Sequence, residues 1–426
     1  MSLPKHNQYF QLGGKDIWSL INETAAASEK ASGTPVVNLG QGFFSYSPPD
    51  FAIEGANTAL ASAAANQYSP TRGRSSLLQA LAATYSPRYG KQLDPNRDIL
   101  VTTGANEGML SAFFGFVEPG DEVIVFEPFF DQYISNIEIP GGKVVYVQLH
   151  PPANFDRETI SGKDWKIDFA ELEAAISPKT KMIVVNTPHN PVGKVFTREE
   201  LLRIGELAVK HNFVILSDEV YENLYYTPEF TRIATLSPEI ARLTLTVGSA
   251  GKSFAATGWR IGWLIGNPDL LAYASMAHTR ICFSSPSPLQ EAVATAITAS
   301  LKNDYYATTK AQYVAKYEIL NAVWEELGLP YTKAEGGYFT LVNFKKVFAN
   351  IPADYAYPAE FASKPRDFKL AYWLIKEFGV VAIPPSEFYI EEHKSVIEDC
   401  LRFAVCKDDS MLEEAVKRLR GLSKYL

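Results

Sequence analysis

Cysteine is scarce in this chain of 426 residues. The three present, Cys282, Cys400 and Cys406, form no CxxC pair and are too few for a disulfide framework. The six histidines are scattered without an HxxxH pair, so the spacing offers no metal site. Positive charge is also in short supply. Against 48 Asp and Glu stand 40 Lys and Arg, a formal charge of −8 with no basic run. That excludes the electrostatic footprint of a nucleic-acid or anionic-lipid binder. No apolar stretch is long enough to cross a bilayer. The opening MSLPKHNQYFQLGGKDIW lacks the apolar core of a secretory signal, and with no arginine and an acid at Asp16 it makes a poor transit peptide. The expected location is the cytoplasm, with mitochondrial import left open and neither nucleic acid nor membrane as partner.

What the chain does have is alternation. Short β-branched runs appear at 98–104, 121–128, 181–186, 213–219, 243–250 and 261–266. Helical patterns such as 108–117 and 198–211 lie between several of them. The second starts on a capping box, Thr197 with Glu200, and turns Leu201, Leu202 and Leu207 inward. Strands apolar on both faces, alternating with helices, predict an α/β fold built on a mostly parallel sheet, with ligands at the carboxyl ends of the strands. After about residue 300 the texture changes. A helix over 304–328 stops at Gly328 and Pro330, then come 336–344, a helix near 367–378, a strand at 400–406 and a final amphipathic helix. The division expected is 46–303 as a large domain and 1–45 plus 304–426 as a smaller α+β domain.

Chemistry concentrates at the strand ends. Lys252 follows a β-branched strand among small residues, a place where a partly desolvated amine can attack a carbonyl. Taken alone it also reads as a surface lysine. The GKS around it is not a phosphate-binding P-loop, because Thr246 stands where that motif needs glycine. No GxGxxG follows any strand, so a dinucleotide site lacks its fingerprint. Asp218 closes the apolar run FVILSDE, Tyr221 follows three residues later, and Asn190 lies in the turn NTPHNPVG.

In this order, NTPHNPVG, SDEVYENL, SAGKSFAATGWRIGW and RFAVC resemble the fold-type I pyridoxal-phosphate enzymes, specifically the class I/II aminotransferases, over nearly the whole chain. The resemblance implies an aspartate aminotransferase-like large domain with a seven-stranded sheet between helices. It implies pyridoxal 5′-phosphate carried by Lys252 as a Schiff base, with Lys252 also moving the proton between substrate Cα and cofactor. Asp218 would pair with the pyridine nitrogen. Tyr221 and Asn190 would bond the ring's phenolic oxygen, Phe130 would stack on the ring or simply pack the core, and Arg260, Ser249 and the amides of Ala105 and Asn106 would hold the phosphate. Arg402, an arginine inside an apolar strand, would take the substrate α-carboxylate with Asn190 and Gly40. Tyr68 would reach a partner's phosphate in a homodimer, or else be a plain loop tyrosine.

Within that family, NLGQGFF, NQYSPTRG, EPFFDQY and GGYF resemble the kynurenine aminotransferase and glutamine transaminase K group, some of which also cleave cysteine S-conjugates by β-elimination. That implies transamination of kynurenine and other aromatic donors, glutamine or methionine with a 2-oxo acid. The pocket would be aromatic, made by Phe283, Phe339, Tyr338 and Trp18, the last reading equally well as core. Two positions depart from the group: Asn106 where tyrosine is frequent, and Ser284 where histidine is. Competing readings are an aspartate- or alanine-type aminotransferase, for which aspartate would require an extra cation, and a non-catalytic sensor on this fold. The retained Lys252 and Asp218 speak against the sensor.

Overall fold

The computed structural model describes residues 15–426 together with 4, 5, 7, 9 and 10. All six β-branched runs become strands of one eight-stranded sheet. Its order is Ile99–Thr102, Gly262–Gly266, Thr244–Ser249, Val214–Asp218, Thr180–Asn186, Glu122–Glu127, Lys143–His150, Lys166–Ile167. The central strands pair in parallel, while Gly262–Gly266 runs antiparallel to both neighbours. The eighth strand exceeds the expected seven: two residues, Lys166–Ile167, lap antiparallel onto the edge of Lys143–His150.

Alternation of side chains across the pleat explains why these runs are apolar throughout. Met182, Val184, Leu216 and Val247 enter one core, and Ile183, Val185 and Ile215 enter another on the opposite face. Val214–Asp218 and Thr244–Ser249 are buried along their whole length, and the polar residues at their carboxyl ends, Asp218 and Ser249, both line one cavity. Helix Arg198–His211 begins on the expected capping box, with Glu200 N–H donating to the Thr197 hydroxyl (3.2 Å) and Thr197 N–H to the Glu200 carboxylate (2.9 Å).

The later elements follow the sequence pattern. Helix Tyr305–Leu327 ends at left-handed Gly328 (φ 62°), and helices Arg366–Phe378 and Asp409–Leu419 lie near their expected positions. Cys400–Ala404, Phe339–Asn343, Tyr331–Lys333 and Ile160–Ser161 form a four-stranded sheet whose last strand comes from the middle of the chain. Val37–Asn38 pairs in parallel with Val380–Val381, and helix Ile17–Ser32 packs against Arg366–Phe378. Residues 1–3, 6, 8 and 11–14 of the predicted 1–45 segment lie outside the described residues. Among the described residues, no helix is long and apolar enough to cross a membrane.

Candidate active site

Three adjacent strand ends and two turns converge on a cavity of about 250 Å³. Asp218, the last residue of its strand, is buried; its carboxylate accepts from the Tyr133 hydroxyl (2.5 Å) and from Val220 N–H (3.3 Å). Burial raises its pKa, while these donors oppose the rise. Register places Asn186, the end of the neighbouring strand, directly beside Asp218. Asn186 donates to the Asp218 carbonyl (3.1 Å), and its side-chain oxygen accepts from Asn190 N–H (2.8 Å), fixing the turn that carries Asn190.

Lys252 lies in the short helix Ala250–Ser253, immediately after the strand Thr244–Ser249. Its amine donates to the Tyr338 hydroxyl (2.7 Å) and lines the cavity. Burial pulls its pKa down to about 8, with Arg402 and Arg260 adding repulsion and Cys406 and Asp218 opposing. A neutral amine is therefore within reach near neutral pH.

An anion cradle forms opposite. The first-turn amides of helix Gly104–Phe116, including those of Ala105 and Asn106, have no acceptor within the helix. Gly104 has φ 77°, and a Cβ there would stand 2.7 Å from Arg260 Nη2. Glycine is thus required both by the backbone and by the guanidinium beside it. Arg260 itself is left-handed (φ 56°) and donates to the Thr257 carbonyl (3.1 Å). Ser249 also lines the cavity, and Asn106 is held by the Asn136 amide (2.8 Å).

Arg402, in strand Cys400–Ala404, is 2% exposed. Nη1 donates to Asn190 Oδ1 (3.1 Å) and Nη2 to the Gly40 carbonyl (2.9 Å), while Nε has no partner. No carboxylate pairs with it among the described residues, and burial lowers its pKa to about 10. A buried cation with a vacant donor is costly unless an anion arrives. Phe339 lies 4.2 Å below its guanidinium and Trp18 at 5.7 Å, the indole itself donating to Asp131 (3.2 Å).

Of the residues expected at the site, Lys252, Asp218, Tyr221, Asn190, Ala105, Asn106, Phe130, Ser249, Arg260, Trp18, Phe339 and Arg402 all line this cavity, with Gly40 reaching it through Arg402. Tyr68 and Phe283 do not. They pack edge-to-face on each other (5.7 Å) at the surface, 88% and 52% exposed. Tyr338 is fully buried and serves as partner of Lys252 rather than as open wall. Tyr133, Asn186 and Gly104 were not anticipated. Asn186 carried the same signal as Asp218, a polar residue closing an apolar strand.

Residues 34–419 match the family described as Aminotransferase class I and II. The chain belongs to the class I and II aminotransferases. A Saccharomyces cerevisiae protein named probable kynurenine–oxoglutarate transaminase BNA3 is 59% identical over 99% of this chain and 95% of its own. The kynurenine–oxoglutarate transaminase of Dictyostelium discoideum is 38% identical, covering 91% of each. The crystal structure of Bna3p from Saccharomyces cerevisiae superposes with a TM-score of 0.97 at 59% identity, covering both chains in full.

Aminotransferases of this family generally depend on pyridoxal phosphate, and the residues of this enzyme fit that group. An anion cradle, a buried carboxylate and a low-pKa amine surround one cavity with an aromatic side wall at Phe130. One cluster lies apart from these roles: Glu107 accepts from His278 Nδ1 (3.0 Å), with Cys282 Sγ 3.4 Å from the same nitrogen. These three side chains could offer metal ligands, and the four-residue spacing of His278 and Cys282 is the part of the cluster that the sequence carries. Thr103 N–H and the Ser111 hydroxyl also donate to Glu107, so hydrogen bonding accounts for the carboxylate.

Proposed function

We propose that this aminotransferase uses pyridoxal phosphate to move the amino group of kynurenine, and of other large flat or long donors, to a 2-oxo acid. The observation that carries the reading is Arg402: a buried, carboxylate-free guanidinium facing the cavity that holds Lys252. Such a fork binds an α-carboxylate bidentately, and every amino-acid donor has one. Trp18, Phe130, Tyr221 and Phe339 line the same space, suiting a flat aminoacyl side chain. The cations lining the cavity are Lys252, Arg260 and Arg402. Each already has a role, so among the described residues a donor's second carboxylate finds no further cation, which weighs against aspartate. The names of the relatives support kynurenine.

When bound, the cofactor supplies a carbonyl carbon for amine exchange and a ring that takes up charge from the substrate's Cα. Gly104, Ala105, Asn106, Ser249 and Arg260 would hold its phosphate. Asp218, whose carboxylate accepts from Tyr133 and Val220, would hold a proton on the ring nitrogen. Tyr221 and Asn190 would bond the phenolic oxygen. Lys252, its amine titrating near 8, would form the covalent link, leave it when the donor arrives, and then take the Cα proton and return it one atom along. Arg402 orients the donor so that this proton faces Lys252.

The reading includes a homodimer. Support comes from Tyr68 and Phe283, two aromatics exposed together, the second at φ 67°. Such a pair fits a surface that a second subunit covers. The pairing of Val37–Asn38 with Val380–Val381 supports grouping the N-terminal segment with residues 304–426. Three unpaired cysteines accord with a reducing compartment such as the cytoplasm, which fractionation would test.

The decisive experiment is a donor panel with purified enzyme: kynurenine, phenylalanine, glutamine, methionine, alanine and aspartate against several 2-oxo acids. Kynurenine and the aromatic donors should exceed aspartate in kcat/KM. Preference for aspartate, or no turnover of kynurenine, would overturn the assignment.

A further inference from the structure

Among the described residues the amine of Lys252 has one close hydrogen-bond partner, and it is neither Asp218 nor Tyr221. It donates to the Tyr338 hydroxyl at 2.7 Å, and that hydroxyl donates in turn to the Gly42 carbonyl at 2.9 Å. With its proton committed to Gly42, the phenol presents a lone pair to Lys252 and acts there as acceptor. The ring cannot swing away. It is fully buried, edge-on to Tyr221 (5.0 Å) and Phe44 (5.7 Å), tilted on Phe339 (4.7 Å) and stacked on Tyr313 (6.2 Å). Left-handed Gly337 (φ 73°), whose N–H donates to the Leu224 carbonyl, sets the chain direction just before it. Gly42 is equally constrained, since a Cβ there would lie 3.2 Å from the Tyr338 hydroxyl oxygen.

We infer that Tyr338 is a positioning residue for Lys252: it holds the amine whenever that amine is not bonded to a carbonyl carbon, and ties it to the main chain at Gly42. The inference rests on the reading of Lys252 as the reactive amine. Transamination frees that amine midway, and a flexible four-carbon stem would otherwise let it wander from the Cα proton it must collect. A rigid acceptor at 2.7 Å limits that freedom. It also favours the protonated over the neutral amine, because a charged donor bonds more strongly than a neutral one. The other charged or titratable groups acting on Lys252 are Asp218, Arg260, Arg402, Cys406 and, 5.7 Å away at its ring, Tyr221. None of them is removed by changing Tyr338.

The test uses cofactor-free protein and no turnover. Competitive acetylation of Lys252 across the alkaline range, read by mass spectrometry of its peptide, gives the amine's pKa and intrinsic reactivity. In Tyr338→Phe the pKa should fall by about one unit, since a bond from a charged donor is lost. Tyr313→Phe is the control: its hydroxyl bonds Tyr46 (2.8 Å) in the same aromatic block without touching Lys252, so the amine should titrate as in wild type. Fluorotyrosine at 338 keeps the hydroxyl but weakens it as an acceptor, and should give an intermediate shift even were Tyr338→Phe to fold poorly. Coincident profiles for wild type and Tyr338→Phe, or equal shifts in both variants, overturn the inference. Borohydride trapping of pyridoxal phosphate on the wild-type protein separates the two levels. Failure to label Lys252 sinks the functional reading itself, whereas labelling with unmoved profiles sinks only the role of Tyr338.

Discussion

Replacing Arg402 separates function from stability in a way that few substitutions do. In the free enzyme its guanidinium is buried, donates to Asn190 Oδ1 and the Gly40 carbonyl, and forms no ion pair with a carboxylate among the described residues. Burial lowers its pKa from the ordinary arginine value to about 10, and a shift of that size corresponds to about 3 kcal/mol spent on keeping it charged. Arg402→Met releases that cost but strands two acceptors, at about 1–3 kcal/mol each where water cannot reach them. Both lie beside the cavity, so water can replace part of the loss. The cofactor-free variant should therefore unfold within about 2 kcal/mol of wild type in urea. Activity should behave differently, because losing one partner of a desolvated, hydrogen-bonded ion pair costs about 2–5 kcal/mol, roughly thirty- to several-thousand-fold in kcat/KM. The loss should be similar for kynurenine, phenylalanine and alanine, since all three carry the same carboxylate. Arg402→Lys should recover only part, an ammonium being unable to offer two parallel donors. By contrast, Phe339→Ala should penalise large donors over alanine by about 1–3 kcal/mol. A donor-selective loss in Arg402→Met, or a collapse in stability that accounts for the lost rate, would refute this division of the pocket.

Asp218→Asn should fold and take up cofactor yet slow Cα deprotonation severely, and near-normal single-turnover rates would remove the ring-nitrogen role from this residue. Lys252→Ala should lack the visible band of the bound cofactor and resist borohydride labelling at this position. Lys252→Met should stabilise the cofactor-free protein with a defined pH dependence. The folded pKa of about 8 lies below the unfolded 10.5, so the full penalty applies below 8, shrinks as pH rises through that window and vanishes above 10.5. Unfolding free energies from urea titrations should differ by up to about 3 kcal/mol at pH 7 and converge in strong alkali, and a difference that does not fade with pH would show another cause. Tyr68→Phe should weaken cofactor affinity in a dimer, and a fully active monomer by sedimentation would end that part of the proposal.

How far the site could be read from the sequence depends on which property each residue carries in one dimension. Asp218 and Arg402 were legible because a charge in or at the end of an apolar run contradicts its surroundings, and the contradiction is local. Lys252 and Asn190 were legible through motif order. The fold followed for a related reason: strands buried on both faces are continuous in sequence, so the alternation of runs and helices gives the parallel sheet directly. Its edge is weaker, and there the prediction fell short. Lys143–His150 is only partly buried, and Lys166–Ile167 spans two residues, so neither was marked by a fully apolar run.

The residues that escaped share another trait: their meaning arises only on contact. Tyr133 looks like any helix aromatic until the turn after Glu122–Glu127 brings its hydroxyl to Asp218. His278 and Cys282 lie one helical turn apart, and Glu107, far from both along the chain, joins them only through the packing of helix Gly104–Phe116 on helix Pro268–Ile281. Tyr338 was expected in an aromatic wall, and its ring does belong to an aromatic cluster. What the pattern could not carry is the direction of one hydroxyl, set by Gly337 before it and by Gly42 across from it. Tyr68 and Phe283 mark the opposite limit, since the single chain leaves both facing solvent. The chemistry of the site is thus most legible where a residue offends its own neighbourhood, and least where two unremarkable residues become a pair.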